Sequence, residues 1–574
     1  MKRMFSTKAL KKLVVLILPI LCMPCGIQAF TNRTFYVPRS QGTNIVRDDV
    51  GWSTLVNLPA QDDFYGVFAF TPAYTRSFKP QEFINFLLKC PTLTVSGSQY
   101  PDRGSQDVLA DYWGLPSDFQ SILCFDPKIN NFILDLNFYF GLDQAVNGLY
   151  VRINAPITQT SWDLNMREFV KNQGVNGSPA GYMSAAPISN ANLVQNAADF
   201  FQGTETFGDM EEPLQYGKIF QRQVENRIAE LRGVVGWNWT GNYYHVGFNA
   251  RASAPTGNRP SGEFLFEPIA GNGKHWEVGV GVTAHYDLWT NEEQTNEIGI
   301  YFDANIIHLC GSGQKRSFDF LNNGYGSRYM LIEEMASESA NLFLGSPAGP
   351  ASPDQYRGFL APAINYTTLD IKTSFDVQAD MALTCLFRRQ GLNVELGYNF
   401  FGRSAEKLHC RTQFPSGQFA AKGDAQLYGF DNTAPSPNPK IIPLAATQHN
   451  ATLHAGQIPG NSNFRNLNAD SAVPAADSTT LLNQLPAATM GITPAVVQTS
   501  NIPILLTDAD IDTNGALLAG VISNALFFHI SHVWYEHDDW SPYLGFGGEV
   551  EWANGEAPST YSQWQIWAKG GVAF

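Results

Sequence analysis

The sequence predicts an all-β protein, a transmembrane antiparallel β-barrel of about twelve strands (12–14). Three observations predict it: unusually long apolar–polar alternation, an even number of such patterns, and connections that alternate between short and long. Residues 275–288, HWEVGVGVTAHYDL, place apolar side chains at Trp276 and every second position to Leu288, and mostly polar ones between them. Successive side chains of a strand point to opposite faces, so this strand has one apolar and one polar face.

The first element is a leader. MKRMFSTKALKK is basic, LVVLILPILC is apolar, and MPCGIQA ends in small residues, which together predict a signal peptide over residues 1–29. The apolar run is shorter than the roughly 20 residues of a membrane-spanning helix. We therefore expect an exported chain.

The strand patterns follow in order along the chain. Residues 229–239 and 243–254 alternate on either side of Thr240-Gly241-Asn242, a typical hairpin turn. The longest pattern, 369–387, is followed by RRQG. The twelve predicted strands are 64–76, 130–140, 149–156, 229–239, 243–254, 274–289, 297–309, 368–387, 392–403, 525–535, 543–553 and 562–574.

The connections between these strands differ in length at the two ends. Short turns follow the even strands, and most of the odd strands precede long connections, namely 77–129, 157–228, 310–367 and 404–524. This arrangement is typical of transmembrane barrels, and closure is required because an open sheet edge would leave amides unpaired in lipid. Trp276 and Tyr286 lie about 33 Å apart along a strand, which at a tilt of about 40° spans about 25 Å of membrane.

The composition of the chain argues against one class of binding partner and for another. The formal net charge is −15 and only 16% of residues are charged, whereas 13% are aromatic. A nucleic-acid partner would need basic patches, so we expect none. Membrane lipid is the partner that the apolar strand faces predict.

The last strand carries a family resemblance. In SQWQIWAKGGVAF, alternate residues from Trp564 to Phe574 share a face, and an alternating last strand that ends in Phe resembles the C-terminal signal of outer-membrane β-barrel proteins. With the leader and twelve strand patterns, the chain resembles Gram-negative porin-like proteins as a class. The resemblance implies that Phe574 and Val572 are read by the barrel assembly machinery, although Lys569 stands where Gly is preferred.

The same resemblance implies an arrangement in the outer membrane. Residues 30–63 would be a periplasmic N-terminal segment, and residues 64–574 would form the barrel, with the large extracellular loop 404–524. The short turns would be periplasmic and the long loops extracellular. A homo-oligomer is compatible with this class.

The alternate positions of the strands that carry polar side chains would then face inward and line the lumen. Acids outnumber bases there, which favours cations in a conducting lumen. The candidate lumen and selectivity residues are Glu230, Arg232, Arg251, Glu277, Asp287, Glu297, Asp303, Asp370, Lys372, Asp376, Asp380, Glu395, Glu549 and Glu551.

These features predict a channel rather than an enzyme. We expect a porin-like channel for passive diffusion of small hydrophilic solutes, with cations preferred. The alternatives are a filled or plugged barrel, a structural or surface-contact protein whose long loops bind a partner, and a barrel-embedded hydrolase. For the hydrolase, His275 and Glu277 are the best candidates because they share the lumen parity near one rim.

The largest loop contains a candidate calcium site. The composition of loop 404–524 predicts an extended or partly mobile segment. Within it, TDADIDTNG resembles the start of a calcium loop, but Val521 replaces the expected Glu, so an acidic turn is the alternative. The calcium candidates are Asp508, Asp510, Asp512 and Asn514, and we expect no other cofactor.

Five cysteines remain after the leader, and none has zinc-site spacing. The candidate disulfides join Cys90 to Cys124 and Cys310 to Cys410, since each pair lies near the outer strand ends. Cys385 falls on the predicted lipid face and is expected to be unpaired.

Overall fold

The computed structural model describes residues 34, 39–58, 64–241, 243–291, 296–335, 356–423, 427–431, 440–443, 450–454, 504–535, 540–554 and 562–574. Within these residues, no helix is long and apolar enough to cross a membrane.

Twelve strands form a closed antiparallel barrel. Each strand pairs with its neighbour in the series, and the last pairs with the first, with Val67 opposite Ala573 and Ser77 opposite Gln563. The predicted fold class is confirmed, since each strand overlaps one predicted strand. The barrel strands are β1 Tyr65–Ser77, β2 Lys128–Gly141, β3 Leu149–Asp163, β4 Leu231–Gly241, β5 Tyr244–Ala254, β6 Glu277–Thr290, β7 Asn296–Ser317, β8 Thr368–Arg389, β9 Leu392–Arg403, β10 Val521–Val533, β11 Ser541–Asn554 and β12 Gln563–Ala573.

The outer face of the barrel is apolar. Trp276 is 57% exposed and Tyr286 is 48% exposed, while Glu277 between them is buried inside. Trp237, Trp239 and many aliphatic side chains of the other strands are exposed in the same way. Soluble monomers rarely expose an apolar surface of this extent, so this face needs an apolar medium. Closure leaves no free sheet edge in that medium.

The two ends of the barrel differ. We call the end at which β2, β4, β6, β8 and β10 finish the turn end. The opposite end is the loop end, and the structure describes parts of its connections 78–127, 164–230, 255–276, 318–367 and 404–520. Odd-numbered strands run from the turn end to the loop end, and even-numbered strands run back.

The long connections fold together over the loop end into what we call the cap. The helices of the cap are α2 Pro80–Leu88, α3 Ala197–Gln202 and α4 Ile364–Thr367. The first helix that the structure describes, α1 Ile45–Asp49, lies inside the barrel. The strands of the cap are Thr92–Ser96, Val108–Leu109, Gln120–Cys124, Arg167–Asn172, Gln223–Ile228, Leu331–Met335, Tyr356–Pro362, Glu406–Arg411, Phe419–Ala421, Tyr428–Asp431 and Lys440–Pro443.

The cap has its own apolar core. Trp113 is 1% exposed, stacks on Phe200 at 5.8 Å between ring centroids, and meets Phe201 edge-on at 4.8 Å. Phe201 in turn contacts Tyr329, so three separate connections meet here. Burial of these aromatic side chains stabilises the connections as one folded unit.

Described parts of loop 404–524 form a second apolar cluster of the cap, separate from that around Trp113, which corrects the expectation of an extended or partly mobile segment there. Phe414 and Phe419 are 2% and 3% exposed, and Leu506 and Ile511 are 0% and 3% exposed. The low average hydrophobicity of the loop gave no indication that these few apolar side chains would be buried. Residues 455–503 lie outside the described residues, so the expectation stays a prediction for them.

A buried carboxyl makes the stability of the cap depend on pH. Glu333 is 1% exposed, its carboxyl oxygens accept no hydrogen bond from a described residue, and burial raises its pKa to about 8 despite nearby Lys422. The folded cap therefore holds a proton that the unfolded chain releases near pH 4.5. The stabilisation that Glu333 contributes by holding this proton is fully present below pH 4.5 and is lost as the pH rises to about 8.

We expect Glu333→Gln to remove this slope and to stabilise the cap at pH 8, because the amide carries no charge to desolvate. Limited proteolysis of the cap at several pH values measures the effect. An unchanged slope in the variant would show that another group titrates.

Candidate functional site in the lumen

The inner face of the barrel is lined by ionisable side chains, as the strand parity predicts. Eleven of the fourteen lumen candidates point inward, where most of them are less than a tenth exposed. They are Glu230, Arg232, Arg251, Glu277, Asp287, Glu297, Asp303, Asp380, Glu395, Glu549 and Glu551.

The other three candidates, Asp370, Lys372 and Asp376, were wrongly placed in the lumen. All three are exposed near the loop end of β8, where Asp370 pairs with Lys315 and Asp376 pairs with Lys407. The alternation breaks there, because consecutive residues Asp376 and Val377 are both exposed and the pairing with β7 shifts register. Beyond this break the apolar side chains of β8 turn inward and pack into the cap. An irregularity of one residue reverses every side chain beyond it.

The lumen is occupied by the chain itself. Residues 39–58, the N-terminal segment, lie inside the barrel and include α1, Ile45–Asp49. Asn44 caps this helix, since its Oδ1 accepts a hydrogen bond from the Arg47 amide at 2.8 Å. A twelve-stranded barrel is wider than wall side chains alone fill, so its lumen has room for this further stretch of chain. The expected periplasmic segment over residues 30–63 is therefore wrong for residues 39–58.

Ion pairs bind this segment to the wall. Asp48 contacts Arg232 at 2.8 Å, with both side chains less than a tenth exposed. Arg47 pairs with Asp135 of β2. Two further pairs are Arg39 with Glu551 at 2.7 Å, at the start of the segment, and Asp49 with Arg152 at 2.5 Å, at its middle.

Hydrogen bonds to the predicted acids complete the attachment. The Gly51 amide donates to Glu395 at 2.8 Å, and the Ile45 amide donates to Asp380 at 3.1 Å. The Asn44 amide group lies 3.4 Å from Glu549. Four of the predicted lumen acids, Glu551 among them, thus bind the protein's own segment in this state.

Lys569 of β12 holds the end of α1. Its ammonium donates to the carbonyl oxygens of Arg47 at 3.2 Å and Asp48 at 2.7 Å, and lies 4.5 Å from the centre of the Trp52 ring. Carbonyls at a helix C-terminus carry partial negative charge, which favours a cation. This contact explains why a lysine stands where the resemblance prefers Gly.

The wall is acidic in total. Its inward bases are Arg152, Arg232, Arg251, Arg388, Arg403 and Lys569, and its inward acids are Asp135, Glu230, Glu277, Asp287, Glu297, Asp303, Asp380, Glu395, Glu549 and Glu551. The N-terminal segment contributes two acids, Asp48 and Asp49, and two bases, Arg39 and Arg47, so it leaves this balance unchanged.

Space remains beside the segment. A partly open cavity of about 60 Å³ is lined by Asp49, Arg152, Arg251, Asp303 and aromatic side chains that include Tyr139. The cavity has polar walls and lies within the lumen, so it has room for a few water molecules.

The calcium candidates are engaged with protein groups. Asp508 receives two hydrogen bonds from the Arg411 guanidinium, at 2.5 and 2.8 Å, and Asp510 accepts from Thr507. Asp512 accepts from the Gly515 amide at 3.0 Å. Among the described residues, no group of three or more His, Cys, Asp and Glu side chains is arranged to hold a metal. In this state the carboxylates stabilise a turn, and calcium binding by this motif stays a prediction.

The hydrolase candidates are held in structural contacts. His275 Nδ1 lies 2.7 Å from the Cys310 carbonyl oxygen, and its ring packs edge-on against Phe375 at 5.5 Å. Glu277 accepts a hydrogen bond from Asn272 at 2.8 Å. Both side chains are buried at the loop end of β6.

The two predicted disulfides are absent, and all five cysteines from Cys90 onwards are free thiols. Thr92, rather than Cys90, lies opposite Cys124. Cys410 lies beside β8 on the side away from β7, the strand that carries Cys310. Two strand spacings of about 4.8 Å exceed the Cα separation of about 7 Å that a disulfide tolerates.

The C-terminal residue lies where the sequence predicts. Phe574 is on the outer face, its backbone pairs with Gly66 in bonds of 2.7 and 2.9 Å, and its ring lies 6.2 Å from that of Phe140. Val572 shares this face. Their recognition by the assembly machinery stays a prediction.

No protein-family model matches the chain, and no curated protein matches it. Among solved structures, an outer membrane channel from Pseudomonas putida F1 is similar over 90% of this chain and 97% of its own, with 7% identity and a TM-score of 0.31. The translocator domain of autotransporter NalP from Neisseria meningitidis covers 92% and 93%, with 4% identity and a TM-score of 0.26. A Pseudomonas aeruginosa FadL homologue covers 96% and 99%, with 7% identity and a TM-score of 0.24. Similarity at these TM-scores does not bear on what the chain does.

Proposed function

We propose that this protein is an outer-membrane channel for small hydrophilic solutes, with cations preferred, and that its N-terminal segment closes the lumen in the state described here. The observation that carries the proposal is the polar attachment of that segment to the wall. The cap lies on the extracellular side and the turn end faces the periplasm.

The outer face supports the membrane location. Its apolar side chains, exemplified by Trp276, Val280 and Tyr286, need a lipid medium, while closure satisfies the backbone. The band between Trp276 and Tyr286 matches the height of the apolar layer of an outer membrane, about 25 Å.

Polar attachment supports a lumen that opens. When the segment leaves, water solvates Asp48, Arg232 and the other ion pairs, so each broken hydrogen bond to a charged group costs about 1.5–3 kcal/mol net. Release also exposes apolar side chains such as Ile45, Val50 and Trp52, which pack against the wall, and this exposure favours the closed state. The freed wall retains its acid excess, which attracts cations and repels anions.

Single-channel recording in a planar bilayer with a salt gradient tests this proposal. We expect the refolded mature chain to be mostly closed, with rare openings whose reversal potential favours cations. Openings that favour anions, or a lumen that is always open, would contradict it.

The corrected site predicts which acids set selectivity. Neutralising Glu549→Gln together with Glu551→Gln removes two inward charges, so we expect a reduced cation preference in the open state. Asp370→Asn is the matched control, because Asp370 lies outside the lumen and should leave the reversal potential unchanged. An equal shift in both variants would mean that the acids of the lumen do not set selectivity.

The cap favours a second candidate, a surface-contact protein. Its buried apolar clusters, which include Trp113 and Phe414, make it a folded unit rather than a set of separate loops. A protein of that kind needs the barrel only as an anchor. It would stay electrically silent in every folded variant, including those designed to release the segment.

A further inference from the structure

Arg251 of β5 differs from the inward arginines that form ion pairs. Its Nε atom is buried without a hydrogen-bond partner, and no ion pair joins its guanidinium to a carboxylate of the residues that the structure describes. Three other inward arginines are paired, namely Arg152 with Asp49 at 2.5 Å, Arg232 with Asp48 at 2.8 Å and Arg388 with Glu297 at 2.6 Å. A charge held away from bulk water without a partner is costly. A lone inward guanidinium therefore indicates a place for a counter-charge that comes from outside the chain.

Asp303 of β7 lines the same cavity as Arg251 and forms no ion pair with a described residue either. Arg251 lies opposite Gly279 of β6, and Asp303 lies opposite Thr283 of β6. The two charged residues are therefore two strands and four residues apart, which places their Cα atoms about 16 Å from each other. Charges of opposite sign thus stand on the wall of one cavity without pairing with each other.

The cavity suits a small polar molecule. A buried water needs about 10–15 Å³ of cavity, so a cavity of about 60 Å³ has room for about four to six waters. A molecule of the size of glycine needs a similar space. The cavity is partly open, and its lining reaches Asn57, which accepts a hydrogen bond at 2.8 Å from Asn238, three residues before the turn end of β4.

We propose that this cavity binds a small zwitterionic solute while the N-terminal segment is in place, with the carboxylate of the solute on Arg251 and its ammonium on Asp303. A guanidinium donates two parallel hydrogen bonds to a carboxylate, and a carboxylate accepts from an ammonium. The acid excess of the wall repels a solute that carries only negative charge, so an ammonium on the same molecule lets its carboxylate reach Arg251. The inference rests on the proposed function and deepens it, since it names the class of hydrophilic solute that the channel takes.

Nuclear magnetic resonance with the refolded mature chain in detergent micelles tests the inference through line broadening of an isotope-labelled carbon of the solute. Glycine is the zwitterionic probe, acetate lacks the ammonium, and glycolamide is the uncharged isomer of glycine. We expect the chain to bind glycine more tightly than acetate and to leave glycolamide unbound. Equal binding of acetate and glycine, or no binding of glycine, would overturn the inference.

Substitutions locate the binding. In Arg251→Gln we expect the dissociation constant for glycine to rise by roughly tenfold or more, because a hydrogen-bonded charge is lost. Arg388→Gln is the matched control, since it also removes one inward charge but Arg388 does not line the cavity. Asp303→Asn should weaken glycine binding and spare acetate binding. An equal loss in Arg251→Gln and Arg388→Gln would show that the general field of the lumen holds the solute, which contradicts a site at Arg251.

Binding and conduction are separate readouts, so the two proposals fail separately. Glycine binding by a chain that stays silent in a bilayer would contradict the proposed channel and support the site. A conducting chain that binds no glycine would support the channel and overturn the site. The comparison of glycine with acetate uses the unmodified chain, so it decides the inference even if Arg251→Gln does not fold.

Discussion

Asp48→Asn is expected to open the lumen. The Asp48 carboxylate binds Arg232 at 2.8 Å where both side chains are buried, so its loss leaves the guanidinium with only the more distant Glu230 carboxylate, at 3.9 Å, as its counter-charge. Removing one partner of a buried ion pair costs about 3–5 kcal/mol. Arg232 keeps its hydrogen bonds to Gly42 at 3.1 Å and Asn154 at 2.8 Å, which favours the lower part of that range. We expect the ratio of open to closed states to rise by roughly 100-fold.

Open probability from single-channel records measures this effect directly. Asp376→Asn is the control, because Asp376 is exposed beside Lys407 and its pair is solvated. That variant should behave like the unmodified chain. An Asp48→Asn protein that is folded and as closed as the unmodified chain would mean that the segment does not act as the gate.

Glu406→Gln is expected to destabilise the junction between barrel and cap. Arg316 and Glu406 form a two-bond ion pair at 2.6 and 2.7 Å, and both side chains are at most 1% exposed. Glu406 also accepts a hydrogen bond from the Leu518 amide at 2.9 Å. The variant removes the carboxylate charge that faces the buried Arg316 guanidinium, so we expect a loss of about 3–5 kcal/mol in the free energy of unfolding of the cap.

Urea unfolding followed by proteolysis of the cap measures this loss. The adjacent residue supplies the control, since Lys315→Gln breaks the Lys315–Asp370 pair, whose side chains are 39% and 63% exposed. An exposed pair contributes at most about 1 kcal/mol, so the control should unfold nearly as the unmodified cap does. Equal losses in both variants would contradict the assigned role of the buried pair.

The barrel could be predicted from the sequence because the alternation that identifies each strand depends only on the residues of that strand. An alternating run such as 275–288 needs no knowledge of distant residues, and the lengths of successive connections give the order of the ends. Prediction failed in β8, where Asp370 and Asp376 follow the same parity as Asp380 in sequence but lie on the other face. An irregularity in strand pairing leaves little trace in composition, so alternation alone does not reveal it.

The closed lumen was not predictable in the same way. Residues 39–58 carry no alternation, and the adjacent charges Arg47, Asp48 and Asp49 look like an ordinary solvated run. Their partners, such as Arg232 and Asp135, lie far along the chain, and the pairing exists only in the closed barrel. Lys569 was the available signal, because a lysine at the position where Gly is preferred indicates that something inside the barrel needs its charge.

A reversible lock on the N-terminal segment tests the central claim most directly. Asn44→Cys and Glu549→Cys replace two residues, one on the segment and one on β11, whose side-chain tips lie 3.4 Å apart, and a bis-maleimide with a disulfide in its spacer joins the two thiols. Asp48→Asn is added so that the unlocked channel opens. Current through a bilayer is recorded before and after addition of a membrane-impermeant reductant, with the disulfide verified by mass spectrometry. We predict silence while the bridge is intact and discrete, cation-biased steps once it is reduced. Equal current in the bridged and reduced states would show that the segment does not close the lumen.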